Sequence, residues 1–207
     1  MRRIASTPYD RQVDPSPVIR GMAGAWDQVR ERFGAYSLIV PGSPAFICRP
    51  EACTAHCCHA FSVNLGEAEA DRMTRETGMR RIEFLELDDG EPIALPLAQP
   101  FLLARSGGHC RFLGEDLGCT VYAGRPNACR LYPHFVVFVD VERGRVAAPS
   151  PADGRASIQS ALASAASNPV PLLLGHVECP GFTGEPLTVS DWRDLLAATY
   201  QLQYEEA

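Results

Sequence analysis

Apolar residues fall at helical spacing near both ends of the chain. Val18, Met22, Trp26, Val29 and Phe33 share one face, and Gly34 interrupts the pattern. Ser16 followed by Pro17 supplies an N-cap and a first-turn proline, so the spacing predicts an amphipathic helix covering a core. Gly21 and Gly24 weaken it. Trp192, Leu195, Leu196, Thr199 and Leu202 predict a C-terminal helix over residues 188–206. Between these, Asn64 with Glu67 three residues later reads as a capping box opening a helix over 65–77. Its acidic residues come early, Arg72 and Arg75 come late, and Gly78 closes it.

The middle of the chain reads as extended. Arg81 to Leu87, a short segment after the turn Asp88-Asp89-Gly90, and Phe101 to Ala104 are strand candidates. Phe135 to Val141 is the clearest strand, turned back at Arg143-Gly144 through Arg145-Val146. Residues 35–47 are extended and proline-punctuated, and residues 109–130 form a glycine-rich loop with short helical turns. Residues 149–171 are an insert biased to Ala, Ser and Pro, with a marginal helix around Ile158 and Leu162 that ends at Asn168-Pro169. The first fourteen residues form a polar tail. The pattern predicts an α+β fold, a small β-sheet with flanking helices, and contains no internal repeat. Residues 1–34 are expected to form the tail and first helix, and residues 35–207 a single domain carrying the insert.

A chain of 207 residues can bury a core without covalent staples. A net charge of −6 argues against a nucleic-acid binder, which would carry a basic stripe. No apolar run reaches the roughly 18 residues of a membrane span. Met1-Arg2-Arg3 is not followed by the apolar stretch of an export signal. The expectation is a cytoplasmic protein, whose thiols stay reduced.

That expectation changes how the cysteines read. Four of the eight lie in eleven residues (Cys48, Cys53, Cys57, Cys58), three in twenty (Cys110, Cys119, Cys129), and Cys179 precedes Pro180-Gly181. Soft ligands grouped this way point to a bound metal or an iron–sulfur cluster rather than to disulfides. No Cys-x-x-Cys occurs, which removes the short turn used by zinc ribbons and by thioredoxin-type pairs. Four residues separate Cys48 from Cys53 and three separate Cys53 from Cys57, within one residue of a plant-type iron–sulfur loop. All eight cysteines are candidate ligands, for two four-thiolate sites or for one centre with a smaller partner. On extended backbone Cys57 and Cys58 would point apart and serve different metals. His56, His59 or His109 could complete a mixed site. Thiolates around a metal leave a local negative charge, and Arg125 and Arg130, between and beside the later cysteines, are candidates to offset it.

The segments Phe46-Ile47-Cys48 to Cys57-Cys58, Gly108-His109-Cys110-Arg111-Phe112-Leu113, Cys119-Thr120-Val121-Tyr122, Arg125-Pro126-Asn127-Ala128-Cys129-Arg130-Leu131-Tyr132-Pro133 and Cys179-Pro180-Gly181 together resemble the YkgJ-type cysteine-cluster family. That family is described as proposed zinc- or iron-chelating domains. All eight cysteines find a place in its pattern, although its first cysteines are often two residues apart and here the gaps are longer. The cluster is also similar to that of flagellin lysine-N-methylases, where it is associated with an iron–sulfur cluster and methyl transfer. The resemblance implies metal ions as partners, a protein client, and two Cys-rich loops meeting at one metal centre. The expected cofactor is an iron–sulfur cluster of the four-iron type, with zinc as the alternative. The expected role is a metal or cluster carrier or a redox module; a structural zinc protein and a cluster-dependent lysine methyltransferase are the alternatives. No nucleotide loop, Ser-His-Asp triad or metalloprotease motif accompanies the cysteines.

Overall fold

The computed structural model describes residues 16–97 and 99–205, so the predicted tail lies outside the described residues. In chain order, the first half holds α1 (Pro17–Val29), β1 (Tyr36–Leu38), β2 (Pro44–Phe46), α2 (His56–Ala60), β3 (Asn64–Leu65) and α3 (Glu67–Thr77). Three hairpin-sized pieces follow: β4 (Leu87–Asp88) with β5 (Glu91–Pro92), then β6 (Phe101–Leu102), then β7 (Arg105–Ser106) with β8 (His109–Cys110). The second half holds α4 (Asn127–Leu131), β9 (His134–Asp140), β10 (Arg145–Ala147), α5 (Pro151–Leu162), β11 (Val170–His176), β12 (Phe182–Pro186) and α6 (Val189–Tyr200). The fold is α+β.

The main sheet is antiparallel, in the order β1-β11-β9-β10. Its two central strands, β9 and β11, are buried at nearly every position, so their sequences are continuous apolar runs rather than alternating ones. Helices α1, α5 and α6 pack on this sheet. Val18, Met22, Ala25 and Val29 of α1 join Ile158 and Ala161 of α5 and Trp192 and Leu196 of α6 in one core. The Trp192 indole N–H donates to the Ile39 carbonyl at 2.9 Å, which satisfies the polar edge of a buried ring.

A second apolar cluster forms between α3 and the short strands. Val63, Leu65, Ala70, Met73, Phe84, Leu85, Phe101, Leu103 and Phe112 are buried in it, and β3 pairs with β6 at its centre. Cys110, Cys119 and Cys129 pack against its rim.

Four expectations need correction. Arg81–Leu87 is not one continuous strand: Arg81–Glu83 forms a 3₁₀ turn, Leu85 bridges to Leu103, and Leu87 opens the short strand β4, paired with Pro92. Phe84 and Leu85 are buried in the second core, while Ile82 and Leu87 are exposed. The expected capping box does not form: Gly66 is the N-cap and has no side chain to accept, and only the reciprocal half is present, two residues later, with the Gly66 N–H donating to Glu69 Oε2 at 2.9 Å. The marginal helix of the insert is the regular helix α5, capped by Ser150 and opened by Pro151. The C-terminal helix is α-helical over Val189–Tyr200, starts from Thr188 with Asp191 in a capping box, and continues as a π-helical turn over Gln201–Glu205.

Candidate metal centre

All eight cysteines are free thiols, and the fold draws them together from separate loops. Cys48 follows β2, Cys53 follows the 3₁₀ turn Pro50–Ala52, and Cys57 and Cys58 lie on α2. Cys110 is on β8, Cys129 on α4, and Cys179 just beyond β11, while Cys119 bridges back to Leu113. Because α2 is helical, Cys57 and Cys58 do not point apart as extended neighbours would. Their sulfurs are 4.0 Å from each other. Ala55, buried and left-handed at φ 53°, turns the chain into this helix, and its carbonyl accepts the N–H groups of Cys58 and His59.

Electrostatic reach divides the thiols into two groups that meet at this pair. Cys179 feels Cys53, Cys57 and Cys48, and Cys48 feels Cys57 and Cys53. Cys58 feels Cys110 and Cys57, while Cys129 feels Cys110, Cys119 and Cys57. Cys48, Cys53 and Cys179 thus neighbour Cys57 as a first group, and Cys58, Cys110, Cys119 and Cys129 neighbour it as a second, so Cys57 is shared between the two.

Sulfur contacts with Cys58 hold Cys57 down at about 7 and Cys110 at about 6, and the same contacts raise Cys58. Burial raises Cys48, Cys119 and Cys179, and pushes Cys129 up to about 12. Against this, backbone N–H groups two residues ahead are directed at three sulfurs: Phe112 at Cys110, Val121 at Cys119, and Gly181 at Cys179. Such bonds stabilise thiolate and are a means of tuning a metal–sulfur centre.

Arg125 lies at the junction of the two groups. Its charge lowers Cys48, Cys57, Cys119 and Cys129 together. It is fixed over the Tyr122 ring, 3.7 Å from the centroid, and its Nε donates to the Tyr122 carbonyl at 3.1 Å. Arg130 instead reaches Asn127 Oδ1 at 3.4 Å. His59 and His109 stand ring to ring, 5.5 Å apart, beside the second group.

Three positioning devices complete the site; sequence reasoning placed Arg105 only among the arginines interleaved with the later cysteines, and missed the other two. Arg105 joins the two cysteine-rich loops: its guanidinium donates to the carbonyls of His59 at 2.8 Å and Phe61 at 2.5 Å, and to that of Gly108. Glu69, buried on α3, accepts the Asn127 N–H at 2.6 Å and so fixes the start of α4, which carries Cys129. Gly181 lets β12 approach β2, since a Cβ there would meet the Phe46 ring at 2.5 Å and the Ile47 carbonyl at 2.6 Å. Ile47 N–H donates to the Gly181 carbonyl at 2.8 Å, which docks the Cys48 loop beside Cys179. A capping-box offset of two residues was the only sequence signal for Glu69. Nothing local marked the bridging role of Arg105 or the close approach at Gly181, because their partners lie far away in sequence.

Eight thiols clustered in loops around one guanidinium, on an α+β scaffold, are the soft donor set that zinc or iron chelation uses. The chain belongs to the CxxCxxCC family, described as a proposed zinc- or iron-chelating domain, whose profile matches residues 47–151. Seven of the eight cysteines fall inside the match, and Cys179 lies beyond it. No curated protein and no solved structure matches the chain significantly. Among the described residues, no helix is long and apolar enough to cross a membrane.

Proposed function

We propose that this protein holds an iron–sulfur cluster of the four-iron type through its clustered cysteines and acts in the cytoplasm as a metal or cluster carrier, or as a redox module, for a protein client. The observation that carries this reading is the convergence of thiols from distant loops on Arg125, with backbone N–H groups directed at three of the sulfurs. Arg125 and those N–H groups supply the positive field that a cluster of thiolates needs when partly buried.

The spread of the sulfurs favours a cluster over one zinc ion. Four sulfurs about 2.3 Å from a tetrahedral zinc lie about 3.8 Å from one another. Among the described residues, the one group of three or more possible ligands with all donor atoms within 4.8 Å is His56, His176 and Glu178, which contains no thiol. A four-iron cluster sets its cysteines farther apart and accepts the wider nest. The carrier role is supported by Cys48, which is exposed at the surface, whereas Cys179 is buried.

The test is protein purified without air. A broad sulfide-to-iron absorption in the visible, with iron and acid-labile sulfide in comparable amounts, is the expected result. Colourless protein with stoichiometric zinc would replace this reading by the zinc one. Cys57→Ser and Cys129→Ser should each lower the metal content and destabilise the fold, because ligation couples to folding.

A further inference from the structure

We propose that His56, His176 and Glu178 form a second metal site, separate from the thiol centre, for a divalent cation of borderline hardness such as Zn²⁺ or Fe²⁺. The three residues come from two chain segments, His56 from α2, and His176 and Glu178 from the end of β11 and the turn after it, and offer one ligand atom each, all within 4.8 Å of one another. Two imidazoles and one carboxylate are a nitrogen–oxygen donor set, unlike the thiols, and three protein donors leave positions open for water or a small ligand.

The arrangement is more than a surface ion pair. His56 Nε2 does pair with Glu178 Oε2 at 3.1 Å, at the solvent-facing edge. His176 is not part of that pair. It is buried, its ring is 5.2 Å from that of His56, and its orientation is fixed by Tyr36, Phe61 and Tyr132 at 4.8, 5.9 and 5.7 Å. Its Nδ1 is enclosed with no hydrogen-bond partner among the described residues. A buried polar atom left this way is unfavourable unless something absent from the protein chain completes the site. The site would open from Glu178, which is exposed, through half-buried His56 to buried His176. Cys57 follows His56 and Cys179 follows Glu178, so the site borders the first thiol group.

The inference does not need the thiols to hold a cluster, and the experiment separates the two. The full-length protein is titrated anaerobically with Co²⁺, following the thiolate-to-cobalt charge-transfer band, with total bound cobalt measured by equilibrium dialysis. Bound cobalt should exceed the amount that accounts for the charge-transfer band by one ion per chain. Glu178→Gln and His56→Gln, both at accessible positions, should each abolish that extra ion and leave the band unchanged. Equal cobalt in wild type and variants would leave His56 and Glu178 as an ordinary ion pair and overturn the site. A weaker band in either variant would also overturn it, by assigning these side chains to the thiol centre. Absence of the band with the extra ion retained would defeat the thiol reading alone.

Discussion

Arg125 is felt by thiols of both groups, so one guanidinium offsets charge at the seam of the centre. Replacing it by Gln keeps hydrogen bonding but removes the charge, and should weaken metal affinity about 10- to 100-fold in competition with a chelator, the usual cost of losing a group that supports metal ligands. Arg125→Lys should recover part of the loss; unchanged affinity in the Gln variant would show that the charge is offset elsewhere. His134 carries a different consequence. It is buried between Phe46 and Phe182, and burial holds its imidazole down at about 4, below its ordinary 6.5. Between those values the unfolded chain binds a proton that the native chain does not. Stability from this group is therefore intact above about pH 6.5 and falls as pH drops toward 4, by about 3 kcal/mol at most. Urea midpoints at pH 7 and pH 5 should draw closer in His134→Phe than in wild type. An equal acid shift in both proteins would assign the loss to other groups.

The short ladder of β2 and β12 decides whether Cys48 meets Cys179. Gly181→Ala would place a methyl 2.6 Å from a backbone carbonyl that cannot swing aside, so the ladder must part. We expect a loss of about 1–3 kcal/mol in denaturant unfolding, together with a lower metal content. Destabilisation with full metal content would show that the first thiol group forms without this docking. The same elements show how much could be read from the chain. Helix α1 was legible because Ser16, Pro17 and a clean apolar stripe agree, and β9 because its β-branched and aromatic run ends at a turn. Strand β11 was not: Val170-Pro171-Leu172-Leu173-Leu174 is buried throughout, carries a proline and follows Asn168-Pro169, so it lacks alternation and resembles the end of an insert. Arg81 to Leu87 misled for the converse reason, since Phe84 and Leu85 are apolar because they face a local core, and the segment begins as a 3₁₀ turn. At the site, the cysteines were visible from their types and crowding, and Arg125 from its place between them. What brings Cys129 and Cys110 to the others is Glu69 and Arg105 acting on backbone groups tens of residues away, which no local pattern encodes.

Across the whole molecule, the thiols separate a large core from a small one. Among the described residues, seventeen buried around the main sheet form the first core, and nine around α3 form the second, with Cys110, Cys119 and Cys129 on the rim of the smaller. A core of that size stabilises its surroundings weakly, and metal removal would leave several thiols repelling one another beside it. Metal loss should therefore loosen one side of the molecule rather than unfold it. Hydrogen exchange after chelation should quicken in residues 48–63 and 103–131, while β9 and β11 keep their protection, because their bonds lie inside the larger core. Restoring the metal should return the protection. Equal loss in β9 and β11 would mean that the centre supports the entire fold, and no change in either region would mean that the thiols converge without holding anything that the fold depends on.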